Sequence, residues 1–175
     1  YWGWDSLRGF LVVPGGAVEY LSAFAAQSFF YSWLGAAVVT AKAWALFACT
    51  DSILKGVGVR SLRGLRYFGP LVLLAVYSRY GFPFLTVTAL LLAMAGLCLY
   101  LKLRTTTDAR TVGWFLVIGL PLYMAAGGAS LVFVVLCGLY EVLIERRARI
   151  GLIQLACGAA VPLVLGNLVY GVRVL

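Results

Sequence analysis

The sequence contains no histidine. That removes imidazole-ligated haem or chlorophyll, most zinc and copper sites, and every nucleophilic mechanism that relies on an imidazole base. Carboxylates are scarce: Asp5, Glu19, Asp51, Asp108, Glu141 and Glu145 are all there are. None falls at the centre of an apolar run, which leaves little for a carboxylate proton relay. Charged residues make up 11% of the chain, against roughly 25% in a soluble domain. The four cysteines, Cys49, Cys98, Cys137 and Cys157, form no C-x-x-C pair and sit inside apolar segments. They read as small packing residues, neither a disulfide framework nor a metal site. No Walker sequence, G-x-S-x-G or EF-hand is present, and Gly56-Val57-Gly58 is too short for a phosphate-binding fingerprint. No metal and no cofactor is expected.

What the chain has in abundance is apolar surface. Of its 175 residues 63% are hydrophobic, and the mean hydropathy is +1.00. The stretch Phe82 to Leu101, FPFLTVTALLLAMAGLCLYL, is uncharged throughout. At 1.5 Å per residue it reaches about 30 Å, the thickness of a bilayer's hydrocarbon core. Lys102 and Arg104 follow at once, as at the cytoplasmic end of a membrane-spanning helix.

The remaining apolar segments fall into place around that one. They predict an all-α, polytopic transmembrane helix bundle of about six spans, at residues 31–50, 67–77, 82–101, 112–126, 130–144 and 151–172. Residues 1–30 form an extracytoplasmic or interfacial segment, and 31–175 the transmembrane domain. Pro14-Gly15-Gly16 makes a turn, and residues 17–30 a short amphipathic helix lying in the interface. The span at 67–77 is short for a bilayer, and Pro121 and Pro162 interrupt two others. Glu141, Glu145 and Arg149 recur at i, i+4 and i+8, which predicts that the fifth span continues past the membrane as a charged turn.

The net charge of +8 is distributed for orientation. Lys55, Arg60, Arg63 and Arg66 lie in one short loop, Lys102, Arg104 and Arg110 in the next, and Arg146, Arg147 and Arg149 in a third. This positive-inside pattern makes those loops cytoplasmic. It offers no basic face interleaved with aromatics, so nucleic acid is not a partner. Aromatics follow the same division. Tyr31, Trp33, Tyr77, Tyr80, Tyr123 and Tyr170 gather at the outer ends, and Tyr67, Tyr100, Trp114 and Tyr140 at the inner ends, as interfacial belts. Both termini are then extracytoplasmic. The chain starts at Tyr1 with no visible signal peptide, and an outer N-terminus predicts at least one helix upstream.

Four places could carry more than topology. Asp5 and Glu19, near the Pro14-Gly15-Gly16 turn, could act as general base or metal ligand if the protein transferred sugars from a lipid-linked donor; acids on an external segment are also common without any such role. Arg79, between Tyr77 and Tyr80, could hold an anionic headgroup, or be an ordinary interfacial arginine among belt tyrosines. Ala37, Ala41 and Ala45 recur at i, i+4 and i+8, the spacing that lets helix backbones approach closely in lipid. Lys42 is a charge inside a span; it either snorkels or meets a protein partner, and Glu141 is the internal partner at matching depth.

The stretches PGGAVEYLSAFAAQSFFYSWLGA, SRYGFPF and YMAAGGA resemble an uncharacterised group of bacterial polytopic inner-membrane proteins known only as a domain of unknown function. The resemblance spans most of residues 9–170. It implies a location in the bacterial inner membrane, a helix before the PGG-x-x-EY stretch and a larger extracytoplasmic part after the helices. It brings no activity and no catalytic residue. The reading that follows is an integral membrane protein acting as a non-catalytic structural or accessory subunit, with lipid and other membrane protein subunits as partners. A glycosyltransferase-like enzyme using a lipid-linked donor and a transporter or channel component are the alternatives.

Overall fold

The computed structural model describes residues 13–58, 63–77, 84–103, 105 and 107–170. Among the described residues there are helices and turns and no strand. Seven α-helices follow one another: α1 (Gly16–Gln27), α2 (Ser32–Val57), α3 (Phe68–Tyr77), α4 (Phe84–Leu103), α5 (Asp108–Ala126), α6 (Ser130–Leu143) and α7 (Ala148–Tyr170). The all-α bundle expected from the apolar pattern is the fold observed. Among the described residues three helical stretches, Ser32–Val57, Phe84–Leu103 and Asp108–Leu143, are long and apolar enough to cross a membrane.

The first of these outruns its apolar part. Nothing in the sequence breaks α2 before Gly58, whose left-handed backbone (φ 78°) returns its N–H to the carbonyls of Leu54 and Lys55. The added turns are bound by an i,i+4 pair, Lys55 to Asp51 at 2.6 Å, with Arg66 3.5 Å from the same carboxylate. The third stretch is folded back on itself. In a straight helix Phe115 and Phe133 would lie about 27 Å apart; here their rings stack at 5.6 Å. The reversal occurs at Gly127, with φ 56° and ψ −129°, a conformation open to glycine and closed to side chains. The same glycine touches a second turn. A Cβ on it would lie 3.3 Å from the Gly15 Cα and the Pro14 carbonyl oxygen, and the Gly15 N–H donates to the Met124 carbonyl at 2.9 Å. The Pro14-Gly15-Gly16 turn is thus seated on the α5–α6 reversal, and α1 leaves from there with Val18 buried against Ala89 and Ala126.

α4 is the central helix, in contact with α1, α2, α5 and α6. A helix apolar on every side needs apolar surroundings, from neighbouring helices or from lipid. Its Ala93, Leu97 and Tyr100 join Phe115, Ile118 and Leu122 of α5 and Phe133, Val134 and Cys137 of α6 in the main core. On the other flank Leu46 of α2, Leu73 of α3 and Val87 of α4 make a second core.

The alanine seam is not used inside the chain, and one expectation about packing does not hold. Ala37 and Ala41 are exposed and Ala45 half-buried, because α2 turns its opposite side, Val39, Ala43 and Leu46, inward. The close backbone seam within the chain is instead made by glycines of α6 and α7. A Cβ on Gly158 would fall 2.2 Å from Val134 Cγ1, and one on Gly151 2.8 Å from the Gly138 carbonyl oxygen. Nor does α6 run on past the membrane as a charged turn. It ends at Leu143, and the chain reverses to begin α7 at Ala148, with the Arg147 N–H donating to the Glu141 carbonyl at 2.9 Å.

Candidate functional site

Because α4 and α6 both end where α7 begins, the last turn of the first two and the second turn of the third lie at one level. Each contributes a polar side chain to the interior. Tyr100 of α4, Glu141 of α6 and Gln154 of α7 are each 0% exposed. The Gln154 amide donates to the Tyr100 oxygen at 2.8 Å. The Tyr100 hydroxyl donates in turn to Glu141 Oε1 at 2.7 Å. The surroundings are apolar: the Tyr100 ring stands edge-on to Phe115 and Phe133 at 6.5 and 6.4 Å, and Cys137 is buried one turn back on α6. Two oxygens of this triad, Glu141 Oε2 and Gln154 Oε1, have no hydrogen-bond partner among the described residues. Removing a carboxylate from water is costly unless it is paired, and here one of its two oxygens is bonded, to a neutral hydroxyl.

Lys42 is not the partner of Glu141. Its ammonium donates to Thr88 Oγ1 at 2.7 Å and to the Phe84 carbonyl at 3.4 Å, and it sits 2.9 Å from the centroid of the Phe84 ring. Those groups lie in the first turns of α4, whereas Glu141 meets Tyr100 about 18–24 Å further along the same helix. The two charges do not meet because α2 packs on the flank of α4 away from the core it shares with α6. An aromatic face and a hydroxyl satisfy the ammonium without an anion.

Glu19 is exposed on the first turn of α1, where its charge complements the helix N-terminus. It lines a groove of about 550 Å³ together with Val18, Leu85, Ala89, Gly127 and Val132. Asp5, Arg79 and Tyr80 lie outside the described residues. Tyr77 ends α3 with its ring 6.0 Å from that of Phe84. The half-buried Lys42, the groove beside Glu19 and the buried triad are three separate places, and no group of three or more His, Cys, Asp or Glu that could hold a metal occurs among the described residues.

Tyr100 and Gln154 escaped the sequence reading. Tyr100 passes for a belt aromatic because it precedes Lys102; it is wholly buried instead. The available signal was Gln154 itself, an amide in the middle of the apolar run GLIQLACG. Such a residue in a helix with no water beside it needs a partner from another helix.

Helices of spanning length and composition, packed around a polar cluster shut off from solvent, make this a helical membrane protein by class. The particular family is given by residues 1–174, which match the family of unknown function DUF6057, and the chain belongs to that family. No curated protein and no solved structure matches it.

Proposed function

We propose that the chain is a multi-pass subunit of a bacterial inner-membrane assembly, non-catalytic, and that it packs through α2 against a helix of another membrane protein. The observation that carries this is the outward side of α2. Trp33 and Trp44 are 71% and 72% exposed, and between them Ala37 and Ala41 lie open. Only 17% of the most apolar part of α2 is buried within the chain, against 33% for α4. Small residues between two large rings leave a shallow seat about 16 Å long, shaped for a helix backbone. Replacing Ala37 and Ala41 together by Leu fills that seat without touching the inner face of α2. The expected result is a complex of lower mass in native membrane extract while the purified chain keeps its melting temperature. An unchanged complex, with no cross-link from Ala41→Cys to any neighbour, would refute the proposal.

A second reading has one observation in its favour. The groove beside Glu19 has the apolar lining that a lipid-linked sugar donor needs, with a carboxylate at its edge. Under that reading Glu19→Gln abolishes sugar transfer by the purified protein; transfer that persists removes Glu19 from the chemistry.

A further inference from the structure

We propose that Tyr100, Glu141 and Gln154 form a binding site for a single positive charge, a proton or a small monovalent cation, inside the helical bundle. This inference does not depend on the subunit role.

The triad is a directed chain: Gln154 donates to Tyr100, and Tyr100 donates to Glu141. The tyrosine hydroxyl has one proton, so it cannot also serve the remaining oxygens. Glu141 Oε2 and Gln154 Oε1 are therefore two acceptors with no donor among the described residues. By covalent geometry each lies within about 5 Å of the Tyr100 oxygen, being on the same planar group as an atom bonded to it. Among the described residues, the groups near Glu141 do not supply the missing charge. α4 brings Tyr100, α6 brings Cys137 and α7 brings Gln154. Arg147, whose backbone caps Glu141, sends its guanidinium to Asp108 at 3.3 Å.

One positive charge resolves this. A proton on Glu141 Oε2 makes it a donor and neutralises the carboxylate. A cation would instead take Glu141 Oε2 as a ligand, a hard oxygen of the kind that favours hard cations. Tyr100 positions the carboxylate in either case by fixing Oε1.

The test uses the full chain purified in detergent, with Glu141→Gln as the isosteric neutral variant. Two readouts are taken: the melting temperature, as pH is varied without sodium and as sodium replaces potassium at constant ionic strength, and the infrared carboxylic-acid band that Glu141→Gln abolishes. The expected result is a melting temperature of the natural chain that moves by about 3 °C or more with pH or with sodium, and that moves with neither in Glu141→Gln. A response to pH with the acid band present identifies a proton; a rise with sodium that suppresses the band identifies a cation. If Glu141→Gln does not fold, Tyr100→Phe serves, since it keeps the carboxylate and should enlarge the response. Equal responses in the natural chain and the variants, with no acid band and no sodium effect, would overturn the proposal and leave the triad as a polar clamp between helices.

Discussion

Glu141 and Lys42 meet the same problem, a charge among apolar helices, and solve it with different chemistry. An ammonium has three donors and can settle on a ring face, a hydroxyl and a carbonyl, as Lys42 does with Phe84 and Thr88. A carboxylate has only acceptors and must find donors, and Tyr100 gives it one. Tyr100→Phe should therefore destabilise the protein by about 1–3 kcal/mol, although the ring keeps its contacts with Phe115 and Phe133. Chemical denaturation of the detergent-solubilised chain measures this. At this scale the sequence was half legible. Glu141 and Lys42 stand out as charges in apolar runs, and their partners do not, because the partners come from helices chosen by packing.

The helices themselves were the legible part. The uncharged run at 82–101 is α4 to within two residues at either end, and Gly127-Gly128 is the reversal between α5 and α6. What pattern could not show is which small residues make a seam. Ala37, Ala41 and Ala45 are regular along one helix and lie mostly exposed; Gly138, Gly151 and Gly158 are spread over two helices and lie in the closest contact. A seam belongs to a pair of helices, and a period measured on one of them carries half the information. Gly158→Ala should destabilise by about 1–3 kcal/mol, because Val134 is β-branched and stiff and cannot withdraw from the added methyl. Gly113→Ala is the control. Its Cβ would meet nothing within 4 Å, and in an α5 interior the gain is about 0.5–1 kcal/mol. Melting temperatures of the two variants should move in opposite directions.

Across the whole molecule, the ion pairs among the described residues lie at one end of the bundle. Lys55, Arg66 and Asp51 meet there, as do Arg147 and Asp108, and the Tyr140 hydroxyl donates to the Gly56 carbonyl at 3.4 Å. Described residues from the three segments read as basic loops thus meet at one end in three dimensions. Lys55→Cys is expected to react with a membrane-impermeant maleimide only after inside-out vesicles are made, and labelling in intact cells would reverse the orientation. The docking of the Pro14-Gly15-Gly16 turn onto Gly127 had no counterpart in the sequence, since nothing in either glycine pair names the other.

The meeting of three helices at Glu141 also bears on how the chain is made. During synthesis α6 emerges after α4 and while Gln154 is still inside the ribosomal tunnel, so for a time it carries its acid with neither its full set of partners nor the glycine seam of α7. The last two helices are then expected to leave the translocon as a pair. A polypeptide stopped at Arg147 should linger beside the insertion machinery or be destroyed by quality-control proteases, whereas one stopped at Val164 should escape both.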